Sequence, residues 1–267
     1  MFVLLAAAAG LAAGSFLTVV VHRLPLMLEA QWSRRSDEDD ASPGTAGHPG
    51  IALPRSHCPR CREPIPWHGL IPLAGFALLR GRCARCRVPI PVRYPLIEIL
   101  CAAGAALCAW RFGAGWPAAG AVAFTWALIA LAFIDLESRL LPDAITLPML
   151  WAGIGFNLAG AHLATLPQAV LGAMSGYGVL WIVQRSFRLV RGHEGLGSGD
   201  LKLTAMIGAW LGWEALPGVV FLASLGGVAT GLVKRGPFAF GPWLALAGWL
   251  ALILRDAAAR AGGFLFT

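Results

Sequence analysis

The sequence predicts an all-α, polytopic membrane protein of about eight transmembrane helices, with a small cytoplasmic zinc-knuckle insert after the first. Three observations predict it. Apolar residues make up 57% of the chain and fall in blocks near the roughly 20 residues that a helix needs to cross a bilayer. Charged residues are 13%, about half the roughly 25% of a soluble domain. Two Cys-x-x-Cys pairs stand inside the one long polar stretch. Eleven Trp suit such a chain, because Trp favours the membrane interface.

The first block, Met1 to about Val21, has no charged leading region and no small-residue cleavage site leading into a polar chain. It is expected to be a retained span rather than a secretory signal. Gly, Pro and charged residues divide the rest into helices at about 1–22, 95–112, 117–134, 144–162, 167–186, 201–213, 215–233 and 240–255. The sixth is short, and its border with the seventh near Trp213-Glu214 is weak, so seven spans or a re-entrant sixth are the alternatives. Three regions result: a first transmembrane helix (1–22), a cytoplasmic insert (23–94) and a transmembrane core (95–267).

Net charge is +7, and its distribution speaks for topology rather than for a nucleic-acid partner. With the N-terminus outside and 23–94 inside, the inner segments hold eleven Arg from Arg23 to Arg93. They also hold Arg139, Arg185, Arg188, Arg191, Lys202, Lys234 and Arg235, against Arg111, Arg255 and Arg260 outside. Cytoplasmic loops collect Lys and Arg, so this bias sets the orientation and supports the span count.

Within the insert, 31–56 is rich in Ser, Gly, Pro, Asp and Glu and reads as a flexible loop. Cys58-Pro59-Arg60-Cys61 follows, then 21 residues, then Cys83-Ala84-Arg85-Cys86. Each pair presents two thiolates to one ion, and together they close a tetrahedral zinc site whose expected role is structural. Two disulfides or four unrelated thiols are the plain alternatives, and a reducing cytosol opposes the disulfides. Too few large apolar residues occupy 56–94 to build a core, so metal would supply the stability. Cys101 and Cys108 lie seven apart in the second span and read as small thiols packed between helices.

Two aspartates lie at the polar edges of apolar blocks. Asp135 follows Ala130-Leu131-Ala132-Phe133-Ile134, and Asp200 ends Gly197-Ser198-Gly199-Asp200 ahead of Lys202. A carboxylate at a membrane boundary costs enough to be a functional-site hypothesis by default. Two spans separate them, and an even number returns the chain to the same face, the cytoplasmic one. Asp135 at a helix C-terminus is badly placed for its charge, whereas Asp143 after Pro142 reads as an ordinary helix start. Glu137 and Arg139 are assigned to a short polar loop. Asp200 could be a simple N-cap. The flanking Gly197 and Gly199, however, give a permissive backbone that a second strand can approach closely. Two adjacent carboxylates share a proton, so one can polarise a carbonyl while the other deprotonates water. No G-x-S-x-G elbow and no H-E-x-x-H competes with that chemistry, although His193 lies near Asp200.

With these residues in place the chain resembles the bacterial type IV prepilin peptidases over nearly its whole length. The resemblance rests on an ordered set. Gly14-Ser15-Phe16-Leu17-Thr18 through Leu24-Pro25 comes first, then the two Cys-x-x-Cys pairs, and then Arg93-Tyr94-Pro95-Leu96-Ile97-Glu98. The Asp135 segment, Gly197-Ser198-Gly199-Asp200 and Gly236 to Pro242 complete it. Thr18 stands where the family often has Asn, and Glu137 where it often has Asp or Asn. The resemblance implies a membrane aspartic peptidase that removes the basic leader of type IV prepilins or type II secretion pseudopilins. It also implies N-methylation of the new N-terminal residue with S-adenosylmethionine. By motif it assigns the catalytic pair to Asp135 and Asp200, the supporting loop to Gly197, Gly199 and Lys202, and a methylation-linked position to Glu98. The implied setting is the bacterial inner membrane, with lipid and prepilins as partners and no nucleic acid. The alternatives are a peptidase without methylation, a proton- or cation-coupled transporter, and a non-catalytic assembly factor.

Overall fold

The computed structural model describes residues 1–36, 50–51, 55–160, 163–192, 196–233 and 238–263. Among them the chain is helical with no strand, as the composition predicts. Two compact units divide it, Met1–Ala106 and Leu107–Thr267, with the boundary inside one helix.

The first unit starts with α1 (Phe2–Ser36), which runs through Pro25 and well past the predicted edge at 22. The apolar block marks what the helix presents to lipid and not where its hydrogen bonding stops. Glu29-Ala30-Gln31 are good helix formers, and Ser33 Oγ donates back to the Glu29 carbonyl at 3.0 Å. Residues 31–36 are therefore helix rather than the start of a loop, and 37–49 and 52–54 of that predicted loop lie outside the described residues. The knuckles, the short α2 (Ala74–Leu78) and most of α3 (Arg93–Phe112) complete the unit. α1 and α3 meet through Gly10 and Gly14, where an added Cβ would lie 2.6 Å from the Ala102 backbone and 2.7 Å from the Glu98 Cα. This small-x-x-x-small spacing lets helix backbones touch where lipid offers no hydrophobic drive for association.

The second unit holds α4 (Trp116–Ser138), α5 (Asp143–Leu158), α6 (Leu166–Arg191), α7 (Ser198–Leu211), α8 (Leu216–Val233) and α9 (Gly241–Gly263). α7 is its axis, and every residue from Leu203 to Leu211 is buried. Its 14 residues rise about 21 Å, short of the roughly 30 Å hydrocarbon layer. Packed inside the unit, it needs neither the length nor the polar face of a surface helix. Gly172 and Gly176 of α6 lie against the backbone of Gly208 and Thr204. On the α5 side, Asn157 Nδ2 donates to the Ala209 and Trp210 carbonyls at 3.1 and 3.2 Å, and its Oδ1 accepts from Ala164 N–H. Trp210 Nε1 donates to the Met149 carbonyl at 2.7 Å. Each buried polar atom named here has a partner, as a low-dielectric interior requires. Gly212, at φ +85°, ends α7 at the border that was weak in the sequence.

Among the described residues five helical stretches are long and apolar enough to cross a membrane: Phe2–Ser33, Arg93–Phe112, Trp116–Ser138, Leu166–Arg191 and Trp213–Leu232. A sixth apolar stretch, Gly241–Arg255, is shorter. Each helix predicted from the sequence has its counterpart. α5 and α7, of 16 and 14 residues, fall below span length.

Candidate active site

Asp135 sits in the last turn of α4, where its own carbonyl accepts from Arg139 N–H at 2.9 Å. Arg139 closes the helix in the left-handed conformation, φ 56°. α4 thus continues four residues past the predicted edge, and Glu137 is an exposed helical residue rather than part of a loop. Asp135 itself is 5% exposed. Its awkward position at a helix C-terminus has a structural answer that the sequence hides. Oδ2 accepts from the N–H of Gly241 at 2.9 Å, the first residue of α9, 106 positions away. The carboxylate therefore faces the positive end of a different helix.

Asp200 is the third residue of α7 and 7% exposed. The helix begins at Ser198, three residues earlier than the sequence suggests, with Gly197 as its cap. Oδ2 of Asp200 accepts from Gly197 N–H at 3.2 Å, so this acid too occupies a helix amino end. The glycines have spatial reasons. A Cβ at Gly197 would come within 3.2 Å of Asp200 Oδ2, and one at Gly199 would press to 2.7 Å on Leu141 Cβ. The Leu141 side chain, from the α4–α5 connection, occupies the space beside Gly199. Lys202 forms an ion pair with Asp143, its Nζ 2.7 Å from both carboxylate oxygens. Asp143 opens α5 as the sequence predicts. That pair ties the start of α5 to α7 two residues past Asp200.

α9 packs against both α4 and α7, so the last turn of α4 with Asp135 and the first turn of α7 with Asp200 belong to one helix cluster. A buried acid is costly in a membrane protein, and the helix amino ends that face these two offset part of that cost. Two carboxylates brought together at such a site can share a proton. His193 and Gly195 lie outside the described residues.

In the first unit the four knuckle cysteines converge, their Sγ atoms all within 4.8 Å of one another. Cys58 and Cys86 are 3.6 Å apart, and Cys61 and Cys83 are 3.9 Å apart. Four sulfurs at about 2.3 Å from one tetrahedral ion stand about 3.8 Å apart, so the arrangement fits a zinc ion. The knuckles are duplicates. Cys58 N–H donates to the Glu63 carbonyl and Cys83 N–H to that of Val88, both at 2.9 Å. His57 bridges to Pro64 as Arg82 does to Pro89. Arg62 and Arg87 share φ near 57°. The signal was in the sequence as Cys-x-Arg-Cys-Arg-x-Pro-Ile-Pro, repeated 25 residues on at 58–66 and 83–91. Arg85 pairs with Glu63 across the two copies.

Glu98 is buried on α3, and its Oε2 accepts from Leu73 N–H at 2.8 Å. Leu73 holds φ 57°, a strained value for a Leu, immediately ahead of α2. Cys101 and Cys108 are fully buried, and Cys108 Sγ lies 3.3 Å from Thr125 Oγ1.

Comparison with known proteins gives consistent matches at both ends of the chain. The model of the Type IV leader peptidase family matches residues 122–232, and that of the Bacterial Peptidase A24 N-terminal domain matches 8–112. A prepilin leader peptidase/N-methyltransferase of Aeromonas salmonicida (strain A449) is 45% identical over 259 residues, covering 92% of this chain and 89% of that protein. Proteins of the same description from Pseudomonas aeruginosa and Neisseria gonorrhoeae are 43% and 42% identical, covering 97% and 98% of this chain and 92% and 94% of theirs. No solved structure matches significantly. On the strength of full-length relatives and of both matched domains, the chain belongs to the type IV leader peptidase family.

Proposed function

We propose that this protein is a membrane aspartic endopeptidase that removes the leader from prepilins or pseudopilins and then N-methylates the new amino terminus. The observation that carries the proteolytic half is the pair of buried acids Asp135 and Asp200, each held by a backbone N–H at a helix amino end. One acid, ionised, takes a proton from water as its oxygen bonds to the scissile carbonyl carbon. The other, protonated, donates to the carbonyl oxygen. The C–N bond then breaks and the leaving amine takes up the proton. Gly197, Gly199 and Lys202 shape the support of Asp200. A transporter would place its acids in mid-helix, whereas Asp135 lies in the final turn of α4 and Asp200 in the first of α7.

The finer topology belongs to the same proposal. α1 and α3 to α9 act as eight spans in a bacterial inner membrane, with α7 shielded by its neighbours, and the Arg and Lys bias places both aspartates at the cytoplasmic face. Prepilin stems are apolar and their leaders basic, so a substrate lying in the bilayer would bring its cleavage site to that depth. Cys58, Cys61, Cys83 and Cys86 hold a structural zinc that stands in for an apolar core. S-adenosylmethionine supplies the methyl group when bound. Its positively charged sulfonium suits a buried carboxylate, and Glu98 is the one the methylation assignment rests on.

The purified protein should cut a prepilin in detergent, and Asp135→Asn and Asp200→Asn should each fall to background. Cleavage retained by either variant removes that residue from the pair. Labelled S-adenosylmethionine in the same tube reports methylation of the product.

A further inference from the structure

We propose that Gly241 is the positioning residue that sets the Asp135 carboxylate for proteolysis, and that it must be glycine because nothing larger fits beside that carboxylate. This rests on the reading of Asp135 as one of the two proteolytic acids. Gly241 N–H donates to Asp135 Oδ2 at 2.9 Å in a buried setting. A Cβ on Gly241 would lie 2.6 Å from that oxygen, 3.1 Å from Asp135 Cγ and 3.4 Å from its Cβ. The first distance cannot be kept, the second is tight enough that the carboxylate must give by a few tenths of an ångström, and the third is ordinary contact. Gly241 does not adopt a left-handed φ, so the requirement is for space and not for backbone freedom. What would yield is the free end of the Asp135 side chain, since Gly241 is built into the first turn of α9 beside Pro242. Alanine at 241 would therefore leave the helix and move the acid. The bond also links the last turn of α4 to the start of α9, so the acid's place depends on two elements distant in sequence.

Two measurements on the full-length protein in detergent test this. In Gly241→Ala, kcat for prepilin cleavage should fall about 100-fold, the scale of a misplacement near 1 Å, with KM within about twofold. Gly248→Ala, whose Cβ would press on Ile207 from the same helix, and Gly155→Ala, whose Cβ meets nothing, should keep kcat within about threefold, well short of that loss. A Gly241→Ala enzyme with full kcat, or a Gly248→Ala enzyme equally impaired, overturns the proposal. The second measurement is thermal stability in a double-mutant cycle. The loss caused by Gly241→Ala should disappear in an Asp135→Ala background, where the carboxylate it strikes is gone. An equal loss in both backgrounds marks a merely structural glycine, and the cycle remains readable if the single variant folds poorly. Asp135→Asn assayed alongside separates the two ideas: normal cleavage there sinks the peptidase role of Asp135, whatever Gly241 does.

Discussion

At the scale of single residues, the acids near the site divide by their partners. Asp135 and Asp200 are buried and bonded to backbone N–H groups, whereas Asp143 is half exposed and paired with Lys202. The sequence showed Asp135 as an anomaly, a negative charge at the wrong end of a helix. It could not show the remedy, because Gly241 lies 106 residues on and belongs to a helix start that no local pattern connects to α4. Lys202 was legible only as part of a motif, and its partner follows from the way α5 packs on α7. That partnership sets a modest expectation. With side chains 29% and 53% exposed, the Lys202–Asp143 ion pair should show a coupling of about 0.2–1 kcal/mol in a double-mutant cycle of thermal unfolding, shrinking as salt is added. A coupling several times larger and insensitive to salt would mean that the pair is shielded from solvent in the membrane-embedded protein.

At the scale of elements, helices were legible because bilayers demand long apolar blocks, and their ends were not because apolarity stops before hydrogen bonding does. α1 ends at Ser36 and α4 at Ser138, each beyond its apolar block. The knuckles were legible from cysteine spacing alone, and the duplicated turn around each explains why the spacing works. In each copy an N–H···O=C bond from the first cysteine to the residue five positions on bends the chain so that both sulfurs point one way. An element so short of apolar residues should depend on its ion. The protein as purified should carry one zinc per chain by metal analysis. Cys58→Ser or Cys83→Ser should lose it, and a protease should then cut within 55–92 much faster than in the unaltered chain. Full protection after complete removal of zinc would show that the knuckle is held by its neighbours instead.

At the scale of the whole molecule, the fold class was legible from composition, and the internal arrangement of the second unit was legible only as a parity count. Counting two predicted spans between Asp135 and Asp200 expects both at one face, and in the structure the start of α9 bonds Asp135 in the last turn of α4 while Asp200 lies in the first turn of α7. Which side of the membrane that level faces is a separate matter, decided by charge. Eighteen Lys and Arg fall in the segments assigned inside and three in those assigned outside, and moving such a bias across a bilayer opposes the rule that governs insertion. Phosphatase fused after Gly113 or Gly160, an enzyme active only outside the cytoplasm, should therefore be active. Fused after Leu140 or Gly192 it should be silent. The first silent position follows Asp135 by five residues and the second precedes Asp200 by eight, so together they bracket the acid pair. Activity at either would place that acid at the outer face, out of reach of a leader that stays in the cytoplasm, and the proposed cleavage would lose its geometry even with both carboxylates intact.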